Sequence, residues 1–141
     1  MLDLVQAVLD REPAAGMGAL HRALDAGTDA RLLARQVVDY LRALLLVRMD
    51  NAAQADLPAE ARPQVERHAT AFSTGEVLRM IRLFTAAAAD PRGGWQPSLS
   101  LELALAESIE SPAPGPAAAP PVKNPPPGKS APARLPQAKA E

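Results

Sequence analysis

The stretch ARLLARQVVDYLRALLLVRM, residues 30–49, decides the fold. Leu33, Val37, Leu41, Leu44 and Val47 recur at intervals of three and four, so one stripe of a helix is apolar along its whole length. Thr28 and Asp29 stand in front of it as an N-cap and a negative first turn. A helix this long needs neighbours to cover its stripe, and the flanking sequence supplies further helices.

Upstream, Leu2, Val5 and Leu9 are followed by Met17, Leu20 and Leu24 ahead of Gly27, which predicts two short helices with Gly27 ending the second. Pro13 suits that helix's first turn, where its missing N–H has no intrahelical partner to lose. Downstream, a short helix is expected from Pro58 to Thr70, kinked at Pro63, with Val65 its only strongly apolar member. Ser73-Thr74-Gly75-Glu76 has capping-box form and predicts a helix from about Thr74 to Ala89, striped by Val77, Ile81, Phe84 and Ala88. The run Asp90-Pro91-Arg92-Gly93-Gly94 ends it.

From Ser98 to Leu105, leucines alternate with smaller and polar residues, as in a strand. The residues are nevertheless Leu, Ala and Glu, and nothing else in the chain offers a partner strand. A helix from Pro97 to Ile109 is therefore expected, and the wide arc of its leucines predicts that it is buried between neighbours. The fold class is all-α, a single bundle of five to six helices whose core comes from the third, fifth and last.

Ten of the 15 prolines fall after residue 110, in a segment rich in Ala, Gly and Lys with only Val122 and Leu135 as large apolar residues. Such a segment cannot offset its ordering entropy by burial, so residues 111–141 are expected to be a disordered linker or tail behind a folded domain, 1–110. The net charge of −1 divides unevenly between them. The first 110 residues hold 11 Arg against 15 Asp and Glu, a balance of −4, and the tail holds four basic residues against one acid, +3. The acidic body and its four aromatics, Tyr40, Phe72, Phe84 and Trp95, argue against direct nucleic-acid binding by the folded part. Cysteine is absent, which fits a reducing cytoplasm. The longest apolar run, Ala43 to Val47, is far below the roughly 20 residues of a membrane span.

No catalytic, cofactor or metal site is legible. His21 and His68 have no HxxxH spacing and no cysteine to join them, and both are expected at the surface or rim. Gly93-Gly94 follows a helix and lacks the lysine and hydroxyl of a phosphate loop. Glu107 and Glu110 are one helical turn apart near a helix end, the pattern of a solvated face. Two charges do fall within apolar arcs, Arg48 and Glu102. Either both lie at the rim, with Arg48 snorkelling from its helix end, or they mark an ion pair that fixes helix register or a subunit contact.

Three stretches carry a family resemblance. Tyr40-Leu41-Arg42-Ala43-Leu44-Leu45-Leu46-Val47-Arg48, Glu76-Val77-Leu78-Arg79-Met80-Ile81-Arg82-Leu83-Phe84 and Pro97-Ser98-Leu99-Ser100-Leu101-Glu102-Leu103-Ala104-Leu105 stand in the order of the long, penultimate and closing helices of one domain. It is the oligomerisation (collar) domain of the gamma/tau subunit of the bacterial DNA polymerase III clamp loader, which the body resembles over about residues 1–110. The proline-rich tail resembles the linker that follows this domain in the longer, tau-type product. The resemblance implies a non-catalytic assembly role in DNA replication, with other clamp-loader subunits and further copies of the chain as partners. Arg48, Glu102, Leu101 and Leu105 are the candidate assembly or register contacts. The family's ATPase module and phosphate-binding loop are not in these 141 residues, so no ATP hydrolysis is expected of them. Two rival readings are a helical adaptor that recruits a partner through its tail and a helical regulatory domain that binds a small apolar ligand; a lack of aromatic pocket liners and polar anchors argues against the latter.

Overall fold

The structure, a computed structural model, describes residues 1–91 and 96–110; the Arg92-Gly93-Gly94 breaker, Trp95 and the expected tail from 111 to 141 lie outside the described residues. Every regular element described is helical: α1 (Leu2–Asp10), α2 (Pro13–Asp25), α3 (Ala30–Arg48), a short 3-10 turn (Ala52–Gln54), α4 (Arg62–Ala71), α5 (Thr74–Ala89) and α6 (Leu99–Ile109).

Local chemistry sets the boundaries. Pro13 opens α2, and Asp29 caps α3 by accepting the Leu32 N–H at 3.0 Å. The capping box of α5 is complete, since Ser73 Oγ accepts from the Glu76 N–H at 3.2 Å and Glu76 Oε2 accepts from the Ser73 N–H at 2.8 Å. Those bonds from Ser73 hold the Glu76 carboxyl below its ordinary range, helped by Arg11 and Arg48 nearby.

The region between α3 and α5 departs from expectation. Pro58 to Ala61 forms a turn, closed by the Ala61 N–H on the Pro58 carbonyl at 2.9 Å, and α4 begins only at Arg62. Pro63 therefore sits in the first turn, where no N–H is needed, and no kink arises. The alternation at the chain's last element does form a helix, α6. The expectation that it is buried between neighbours holds for one face only: Leu101, Ala104, Leu105 and Ile109 are buried, whereas Leu99 and Leu103 point outward. In a strand all four leucines would share a face; the helical turn of about 100° per residue divides them.

The core is broader than three helices. Leu4, Val5 and Val8 of α1 meet Val37 and Leu41 of α3 and Met80 and Phe84 of α5. Leu20 of α2 and Val65 and Ala69 of α4 join the same cluster. At about 1.5–3 kcal/mol for each large side chain fully buried, this cluster is the main source of stability. Gly16 lets α2 come close: a Cβ there would lie 3.2 Å from Ile109 Cδ1 and 3.4 Å from Leu105 Cδ2 of α6.

Hydrogen bonds at helix ends fix directions. Arg31 at the start of α3 donates to the Asp90 carbonyl after α5 at 2.8 Å, and Arg48 at the end of α3 donates to Thr74 Oγ1 at the start of α5 at 3.0 Å. The two helices are thus antiparallel. Ser100 near the start of α6 bonds the Asp90 carboxylate, and Arg79 early in α5 reaches the carbonyls at the end of α6, so α5 and α6 are antiparallel too. The three form a layer with α5 in the middle.

Candidate functional site

The end of a helix leaves carbonyls without intrahelical donors and a partial negative charge. Three of this chain's arginines occupy such ends. Arg48 donates through Nη1 to the carbonyls of Ala69 and, at 2.5 Å, Phe72, closing α4. Arg79 donates to the carbonyls of Glu107 and, at 3.0 Å, Glu110, closing α6. Arg31 takes the Asp90 carbonyl behind α5. Arg48 is exposed, as the rim reading expected, but its partners are main-chain oxygens of another helix and a hydroxyl. Nothing in the sequence announces such acceptors, because every residue carries one.

The other candidates separate. Glu102 is half-buried, and its carboxylate lies 3.7 Å from His21 Nε2, an ion pair across α6 and α2 when the imidazole is protonated. Leu101 and Leu105 lie in the core beside α2 and α5. Arg48 and Glu102 belong to different contacts, one on α4 and one on α2.

His68 corrects an expectation. It is 2% exposed, a core residue, because its ring is fully occupied by polar partners. Asp10 accepts both contacts of the Gln6 amide nitrogen, at 3.0 and 3.1 Å, which turns Gln6 Oε1 toward His68 Nε2 at 3.0 Å. That nitrogen then carries the hydrogen, and Nδ1 accepts the Tyr40 hydroxyl at 2.7 Å. Gln64 Nε2, 3.2 Å from the same His68 Nε2, cannot donate to a protonated nitrogen, so Gln6 holds it. The chain Asp10–Gln6–His68–Tyr40 ties α1, α4 and α3 together with the imidazole neutral. Burial pushes the His68 pKa down, with Arg67 acting the same way and Asp10 against it, and burial pushes Tyr40 up to about 12. A ring so enclosed is structural and has no opening toward a substrate. Among the described residues, no group of three His, Asp or Glu side chains could hold a metal ion.

Two of the exposed large apolar side chains stand together on the closing helix. Leu99 and Leu103, 40% and 53% exposed, stand one turn apart on α6. Leu103 and Glu107 border a cleft of about 200 Å³ against Leu83, Ala86 and Ala87 of α5. Across α5, a second groove of about 260 Å³ runs between α3 and α5, lined by Arg35, Val38, Asp39, Thr85, Ala88 and Ala89. The sequence separates two pairs, because Leu99 and Leu103 fall opposite Leu101 and Leu105 on a helical wheel, and the neighbouring helices decide which pair faces out. Among the described residues, no helix is long and apolar enough to cross a membrane.

Comparison with curated proteins and with solved structures gives no match to this chain. Comparison with protein families gives one over residues 1–118, which takes in every helix from α1 to α6, the leucine-rich closing helix included. The chain belongs to the family described as DNA polymerase III subunits gamma and tau, domain III.

Proposed function

We propose that residues 1–110 are a non-catalytic assembly domain of a DNA polymerase III clamp loader, that the tail from 111 to 141 is a spacer, and that the complex acts in the bacterial cytoplasm. The family supplies the replication setting. The observation that carries the assembly reading is the outward pair Leu99 and Leu103 on a helix whose other leucines are already buried. Arg48, Glu102, Leu101 and Leu105 act within the chain, holding α4 and α6 in place so that this pair is presented. The domain needs no cofactor and binds no nucleic acid directly. Its partners are other copies and other clamp-loader subunits.

Burying the exposed part of two leucines contributes about 1 kcal/mol each, which is roughly thirtyfold in affinity for the pair. Light scattering of the whole chain over a concentration series, alone and mixed with gamma/tau and other clamp-loader subunits, tests this. Association is expected, and the double replacement Leu99→Ser with Leu103→Ser is expected to weaken it by about that factor while leaving the melting temperature nearly unchanged. A strict monomer that joins no loader subunit would overturn the reading.

A further inference from the structure

Two apolar side chains, Val65 and Ala69, bury helix α4 against the domain, and its third buried residue is His68, larger than either. The setting of that ring takes one proton and not two. The Nε2 hydrogen goes to Gln6 Oε1 on α1 at 3.0 Å, and Nδ1 accepts the Tyr40 hydroxyl of α3 at 2.7 Å. Arg67 occupies Gln64 Oε1, so Gln64 turns its nitrogen toward the ring and offers no acceptor. A second proton, on Nδ1, would require the Tyr40 hydroxyl to accept. The hydroxyl's own hydrogen would then be buried without an acceptor, since Tyr40 Oη has no other partner among the described residues. The charges that face the ring do not offset this. Arg67 on α4 itself repels an imidazolium, Asp10 on α1 stands behind the Gln6 amide that it already accepts, and α3 presents only the Tyr40 phenol.

We propose that α4 is an acid-released strap: protonation of His68 expels the ring from its place against α1 and α3, and Arg62–Ala71 opens as a unit while the other helices stay packed. The segment has a joint at each end, the turn from Pro58 to Ala61 before it and the extended Phe72, just ahead of the Ser73 cap of α5, after it. It can therefore leave without unwinding α3 or α5. Arg48, on the carbonyls of Ala69 and Phe72, opposes release at the far end. Closed, the ring stays neutral; open, it lies in water and binds its second proton with ordinary affinity. Acid thus favours the open form, by up to tenfold for each unit below about pH 6.5. Complete unfolding exposes the same ring and gains the same proton, so what separates the strap from the whole domain is the small area that opening exposes.

Amide hydrogen exchange of the full chain, read as protection factors at pH 7 and pH 5 over a series of low urea concentrations, is the test. For the amides from Val65 to Ala71, protection is expected to lie below that of the middle of α3 at both pH values. It is expected to fall roughly ten- to 25-fold on acidification and to depend hardly at all on urea. In His68→Gln the fall on acidification should shrink to within about threefold. Amides of α4 that share both the protection and the urea slope of α3 would overturn the strap, because α4 would then leave only when the domain unfolds. Protection that is flat with pH in the wild type, or that falls equally in His68→Gln, would remove His68 as the trigger and the proposal with it. Should the glutamine variant fail to fold, the wild-type chain decides through its His68 ring signals. Proton uptake that tracks the loss of α4 protection is expected, whereas a ring that becomes charged while α4 keeps its protection overturns the proposal.

Discussion

Arg11, Gly27 and Asp50 hold the same turn with three different side chains. Each has positive φ, 54°, 90° and 55° respectively, and each follows a helix whose last carbonyls are met by two successive N–H groups. After α3, Asp50 N–H bonds the Val47 carbonyl at 3.2 Å and Asn51 N–H the Leu46 carbonyl at 2.9 Å, the Schellman pattern. After α2, Gly27 and Thr28 do the same to Leu24 and Ala23, and after α1 Arg11 and Glu12 to Val8 and Ala7. Only Gly27 was legible as a helix end, because glycine alone adopts the left-handed region without crowding its Cβ. At Arg11 and Asp50 the packing of the flanking helices imposes the turn. Asp50→Gly is therefore expected to stabilise the protein by about 1 kcal/mol, read as a higher urea midpoint at unchanged slope. An unchanged or lower midpoint would mean that the aspartate carboxylate compensates for its backbone.

Among elements, those whose ends are specified locally were readable and those positioned by distant partners were not. The capping box at Ser73 and Glu76, the cap at Asp29 and the long stripe from Leu33 to Val47 all act within one or two turns, and α3 and α5 lie within a residue of where the spacing puts them. The start of α4 was missed because Pro63 is compatible with either a kink or a first turn, and the choice depends on how residues 52–61 run back from α3. In α6, period-two spacing was overruled by residue type, yet which leucines face out depends on where α1, α2 and α5 lie. The arginine contacts at helix ends left no trace in the pattern. Replacing Arg48 by Leu keeps the aliphatic stem and removes the donors to Ala69, Phe72 and Thr74. Amide hydrogen exchange in the last turn of α4 should then accelerate roughly tenfold or more, while amides in the middle of α3 keep their protection. Equal acceleration in both helices would show that Arg48 supports the whole bundle instead of one end.

For the whole molecule, the buried imidazole makes stability depend on pH. His68 has a folded pKa below its ordinary value near 6.5, so between the two values the unfolded chain binds more protons. Stability is accordingly complete above about pH 6.5 and falls on acidification toward the lowered folded value. Glu76, also depressed, adds a second loss below its own ordinary value of 4.5. Urea midpoints measured from pH 7 to 5 should decline for the wild type and decline less for His68→Gln, which keeps a donor and an acceptor for Gln6 and Tyr40. Equal slopes would mean that His68 is not the group responsible. The proposed assembly surface was only partly visible at this scale: the closing helix was singled out, but Leu101 and Leu105, named as contacts, face inward, and Leu99 and Leu103 take the outer face. Surface geometry of that kind depends on every helix at once. The arginine contacts between α3, α4, α5 and α6 have one more consequence, which concerns inheritance. Apart from the Thr74 hydroxyl, half of each contact is a peptide oxygen, and no point mutation can delete it. Substituting Glu110 leaves its carbonyl where Arg79 finds it, whereas substituting Arg79 removes the bond. Codons at the accepting ends are thus free to drift as long as the helix persists, and the selective burden falls on Arg31, Arg48 and Arg79.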